Sequence, residues 1–188
     1  MGWWGKWFGD AGTGGGGGGV IITNNVTTAE LIRDHIIELV EAITPTLLLG
    51  DKFERYLNEG DADFVTWCAA HPESVFRRFQ VRDTGDDHPP DISNLDVESR
   101  LVTFEIRVAY PQTSRYGKNN ALDRDDVMSA DQHQIEHTVG LCGYANFTGA
   151  SAPNAAWVEG ATRRDQDGGI DFLVITQTMR FYRRMVVP

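Results

Sequence analysis

The residues with the most chemical potential lie close together: His133-Gln134-Ile135-Glu136-His137, a literal H-x-x-E-H. On a helix, imidazoles at i and i+4 share one face and can hold a single Zn²⁺, with the intervening glutamate placed to act on a bound water. A hydrolase built this way needs a third protein ligand, and Glu159 is the downstream candidate. That residue stands at the opening of a hairpin rather than on another helix. The same five residues also read as a solvated helix face carrying two surface histidines, and the sequence favours this plainer reading. A zinc-dependent hydrolase using His133, Glu136 and His137 is kept as an alternative.

Other catalytic signatures are weaker. Gly12–Gly17 matches G-x-G-x-x-G only because it enters a run of glycines, and no Lys-Ser or Lys-Thr follows it. No G-x-S-x-G occurs, and Asp86-Asp87-His88 lies in a proline-containing acidic stretch. Cys68 and Cys142 follow no metal or redox spacing and read as reduced, half-buried small hydrophobes, with a disulfide as the lesser alternative. The sequence therefore calls for no cofactor, no metal and no catalytic residue.

Charge narrows the partners. The 188 residues carry 27 acidic and 17 basic side chains, a formal net charge of −10. A surface that grips nucleic acid needs clustered Lys and Arg, so this balance argues against one; it suits a wall past which DNA moves without being held. No apolar run is long enough to span a bilayer, and the N-terminus lacks the apolar core of a signal peptide. The expected location is the cytosol, or a particle assembled there.

The oddest stretch is residues 1–25, expected to be a flexible arm. Trp3, Trp4, Trp7 and Phe8 are spaced as one face of a short helical turn, and Gly14–Gly19 reads as a tether. Fully extended, such a leash reaches ~60 Å. An aromatic tip on a leash suits docking on a neighbouring chain, so these four residues are the expected partner-interface residues. A membrane-surface anchor is disfavoured by the single Lys6.

The elements that would position all of this follow from periodicity. Residues 26–44 read as an amphipathic helix opened by Thr27-Thr28-Ala29-Glu30 and ended by Pro45, with Ile32, Ile36, Leu39, Val40 and Ile43 as its stripe. A shorter helical patch covers Ala62–Ala69. Strands are expected at Ser74–Arg82 and at Arg100–Tyr110, where Val102, Phe104, Ile106, Val108 and Tyr110 alternate with Thr103, Glu105 and Arg107. Asp123–Val139 is the second long helix, its thin apolar stripe interrupted by Asp131. A hairpin over Val158–Met185 closes the chain, with a charged tip at Thr162–Gly169 and a strand whose apolar face is broken by Gln177. Segments 83–96, 111–120 and 140–154 read as connections. The expected fold is α+β: an antiparallel or mixed sheet of about four strands packed with two main helices, in a single domain over residues 26–188.

This element order, with Glu30-Leu31-Ile32 opening the first helix and Asp171-Phe172-Leu173-Val174 running to Tyr182-Arg183 in the last strand, resembles the tail terminator or tail-completion proteins of tailed bacteriophages. The resemblance covers residues ~26–186 and is topological. It implies a non-enzymatic virion protein, assembled in the host cytoplasm. Such a subunit would form a homohexameric ring at the head–tail junction or the end of the tail tube. Its neighbours would be tail-tube and head-connector proteins, with DNA passing through and no sequence-specific binding. The Trp- and Gly-rich arm is not part of that family's pattern and suits a neck or head-closure contact equally. An oligomeric binding module unrelated to phage tails is the other alternative.

Overall fold

A computed structural model describes residues 29–48, 50–57, 63–87, 93–94, 97–112, 116, 120–141, 148–149, 152–153 and 155–184. The arm residues Trp3, Trp4, Trp7 and Phe8, the capping sequence at 27–28, and Cys142 lie outside them.

Helix α1 (Ala29–Glu41) buries Ile32, Ile36, Ile37 and Val40. Each such side chain contributes about 1.5–3 kcal/mol when taken fully out of water. The helix stops short of Pro45, whose ring restricts the residue before it. Strand β1 (Glu54–Arg55) is followed by α2 (Phe64–Ala70). Asp63 caps α2 by accepting the Val65 and Thr66 amides at 3.0 and 3.1 Å. The Thr66 hydroxyl donates to the same carboxylate, and these bonds hold Asp63 below the usual carboxylate range. Strands β2 (Arg78–Asp87), β3 (Ser93–Asn94) and β4 (Val97–Pro111) precede the long helix α3 (Asn120–Leu141). A small pair, β5 (Thr148–Gly149) and β6 (Ala152–Pro153), leads into the hairpin of β7 (Ala155–Asp167) and β8 (Ile170–Arg184).

The main sheet runs β1-β2-β4-β8-β7, with β3 paired to one end of β4. It is mixed, because β1 lies parallel to β2 while the other pairs are antiparallel. The α+β class expected from periodicity is the one observed. On one face α1 and α3 cover Phe79, Val81, Val102, Phe104, Ile106, Val108, Tyr110, Leu173, Ile175 and Met179. These are the residues that alternation assigns to one side of β4 and β8. On the other face α2 covers only Ala109, Ile170, Phe172 and Val174, through Phe64 and Cys68. Cys68 is a free, buried thiol, pushed up to about 12 by burial.

Three expectations are corrected. The acidic stretch 83–96 is not all loop: β2 continues to Asp87, and Ser93–Asn94 pairs with Val97–Glu98. Conversely, residues 74–77 form a turn, and the strand expected from Ser74 begins at Arg78. The charged tip of the hairpin is strand as far as Asp167, and the turn is reduced to Gly168-Gly169, at φ +56° and +78°. Partners in register are mostly apolar: Asp83 faces Phe104, Arg163 faces Val174 and Arg164 faces Leu173. The polar side chains are accommodated by reaching past them to charged groups on other elements. Arg163, for example, reaches Glu105 at 3.2 Å. Both β2 and β7 carry a bulge: Thr84 is the extra residue between Asp83 and Gly85, and Val158 the extra one between Trp157 and Glu159.

Candidate functional site

Helix α3 is fixed by one side chain from below. Arg77, completely buried, sits at φ +56° in the turn that enters β2. All five of its guanidinium N–H groups are used. Nε and Nη2 donate to the two carboxylate oxygens of Asp131 at 2.7 and 2.9 Å. Nη1 donates to the carbonyls of Leu48 and Asp51, and Nη2 to that of Leu47. The guanidinium also lies between the rings of Phe53 and Phe76, 5.5 and 5.0 Å from their centroids. Tyr110 donates its hydroxyl to Asp131 at 2.9 Å. Burial pushes the Asp131 carboxyl upward against the opposing pull of Arg77 and Tyr110. The Tyr110 hydroxyl is driven well above its ordinary range by burial and by the neighbouring carboxylate. This centre joins α3, the segment after α1 and the sheet, and its exclusion from water makes it architectural.

The H-x-x-E-H residues lie on α3 with structural employment. Ile135 is in the core. Gln134 clamps the chain after α1, accepting from the Thr46 amide at 3.1 Å and donating to the Thr44 carbonyl at 2.9 Å. Glu136 accepts from Gln132 and from the Thr162 hydroxyl of β7. His133 and His137 are exposed, their rings 6.4 Å apart. Glu159 pairs with Thr178, whose hydroxyl meets that of Thr103 on the sheet face turned away from α3. The third ligand is therefore not brought to the histidines, and among the described residues no group of three His, Cys, Asp or Glu could hold a metal ion.

The sheet face left uncovered by α2 carries a second charged cluster. Glu105 is 4% exposed and sits among three arginines. Arg82 approaches its Oε1 at 2.7 Å, Arg107 the same oxygen at 3.1 Å, and Arg163 its Oε2 at 3.2 Å. Arg163 also pairs with Asp165 at 3.1 Å, and the bonds to Asp165 and Glu105 raise its already high pKa. Thr103, Thr176 and Thr178 continue the face along β4 and β8. Sequence reasoning finds these residues as the polar half of an alternating strand. It does not find that Arg82 and Arg163, from strands on either side, converge on one carboxylate.

A cavity of about 460 Å³ opens between α3 and the hairpin, on the opposite face of the sheet. Among the described residues no helix is long and apolar enough to cross a membrane. No protein-family model matches the chain, and no curated protein matches it.

Proposed function

We propose that this chain is a structural assembly subunit that joins copies of itself into a ring, and that the ring serves at the head–tail junction or tail-tube end of a tailed phage. The observation that carries the reading is the sheet face around Glu105. Among the described residues no helix covers the strip of β-sheet around Glu105, and its arginines are paired with that buried carboxylate. Arginines ordered before contact lose little freedom on binding, and arginine is enriched where proteins meet. The acidic balance of the whole chain suits a ring through which DNA passes unretained. The element order that resembles tail terminators supports the phage setting. Under this reading tail-tube and connector proteins are the neighbours, and no catalytic residue is needed.

The test is solution mass by light scattering, with negative-stain microscopy of the same sample. The expected result is a discrete six-chain species seen as rings, shifted toward single chains in the pair variant Arg82→Glu/Arg163→Glu. A chain that stays single at every concentration and shows no rings would remove the proposal.

A further inference from the structure

The cavity between α3 and the hairpin has the chemistry of a receptor for a flat, apolar group that donates one hydrogen bond. Val139 of α3 and Ile175 of β8 supply apolar walls, while Gly140, Gly160 and Ala161 leave the room that larger side chains would fill. Gln177 is the one polar residue that interrupts the apolar face of β8. It lines the same cavity, is only 5% exposed, and its Oε1 accepts no hydrogen bond. A buried acceptor without a donor costs about 1–3 kcal/mol, so a ligand that supplies the donor is favoured beyond its buried area. Glu136, which accepts from the Thr162 hydroxyl, stands at the same opening and makes it acidic.

An indole meets each requirement: it is flat, largely apolar, and its Nε1–H donates without accepting. Three of the five tryptophans of this chain, Trp3, Trp4 and Trp7, lie in its first eight residues, with Lys6 among them to face the acidic opening. That segment lies outside the described residues, which begin at Ala29 on the helix-covered side of the sheet, the side on which the cavity opens. The twenty residues between Phe8 and Ala29 span at most ~70 Å, enough to reach an adjacent subunit. We infer that the cavity receives an indole from the Trp3–Phe8 segment of a second copy of this chain. The inference rests on the ring-assembly reading above. Each copy would give its tip to one neighbour and receive a tip from the other, a head-to-tail contact of the kind that closes rings.

The experiment uses the full chain with a photoreactive benzoyl-phenylalanine in place of Trp4, prepared as a mixture of ordinary and ¹⁵N-labelled copies. Irradiation is expected to give isotopically mixed pairs whose crosslinks map to residues 136–140, 160–162 or 175–177. Gly140→Phe is the blocking variant. Gly140 lines the cavity, and a Cβ there meets no atom within 4 Å. Crosslinked pairs should fall about tenfold, a change of about 1.4 kcal/mol in docking. Gly140→Ala should leave them nearly unchanged, and thermal melts of both variants check the fold. Crosslinks mapping elsewhere, confined to single-isotope chains, or undiminished in a folded Gly140→Phe protein overturn the inference. The map on the unblocked chain decides the matter even if Gly140→Phe does not fold. Solution mass separates the two readings: rings whose crosslinks lie elsewhere overturn the docking alone, and single chains without mixed crosslinks overturn both.

Discussion

Arg77 and Asp131 meet as a two-pronged pair inside the protein, at 2.7 and 2.9 Å, with neither side chain reaching water. Removing one member leaves the other charged and unpaired. Asp131→Ala and Arg77→Ala are each expected to destabilise the fold by about 3–5 kcal/mol, measured as a shift in urea midpoint. The pair variant Arg77→Ala/Asp131→Ala should lose less than the sum of the single changes. It will still fall short of the parent, because the carbonyls of Leu47, Leu48 and Asp51 lose their donor. Simple additivity would show that the two residues are not coupled.

Stability should fall in alkali from about pH 9 upward. The Cys68 thiol is raised from 9.0 to about 12 by burial, and the Tyr110 hydroxyl is raised well above 10.0. As pH rises past the ordinary values, the unfolded chain releases both protons while the folded one keeps them. The unfolded state then binds fewer protons, and the unfolding free energy declines with pH. Melting temperatures of the parent and of Cys68→Ala across pH 8–12 test this. The variant should show a shallower decline between pH 9 and 12, even though its cavity lowers stability throughout.

Glu105→Gln removes the charge that three arginines share. The amide fills the same space, so what is lost is electrostatic: about 1.5–3 kcal/mol for hydrogen bonds to a charged group. Repulsion among Arg82, Arg107 and Arg163 is then screened by salt. The difference from the parent should therefore be larger at 20 mM than at 500 mM NaCl, and an equal loss at both would mean the cluster is held by packing alone.

The hairpin turn gives a contrast between two glycines. Gly168 has φ +56°, and a Cβ there would approach the Ala69 Cβ of α2 to 3.1 Å, whereas Gly85 has open space around it. Gly168→Ala should cost about 1–2 kcal/mol for the left-handed backbone, plus the crowding against α2. Gly85→Ala should be close to neutral in the same denaturation assay.

What the sequence discloses and what it conceals have the same origin. Alternation along Val102–Tyr110 and the stripe of α1 are local patterns. The structure follows the first at every apolar position and the second at Ile32, Ile36, Val40 and Ile43, while Ile37 is buried in place of the expected Leu39. Gly168-Gly169 likewise announces its turn, because only that pair accepts two positive φ angles in succession. Charge misleads where partners lie far along the chain. Residues 83–87 and 162–167 look like loops until Thr103, Glu105 and Asp125 are placed beside them. Asp131, an acid on an apolar stripe, signals a buried cation without naming it. Arg77 lies 54 residues away in a segment that alternation assigns to a strand. For the candidate site, Gln177 on the apolar face of β8 was the visible sign of the cavity, while the convergence of Arg82 and Arg163 on Glu105 depends on sheet order alone.

The bulges at Thr84 and Val158 interrupt the pairing register on both outermost long strands. A foreign strand laid along either margin would fall out of step with the ladder after a few residues. Backbone-to-backbone stacking of chains is thereby disfavoured. In the ring proposed above, contact between copies would fall to side chains, which can specify how many copies fit before the circle is full.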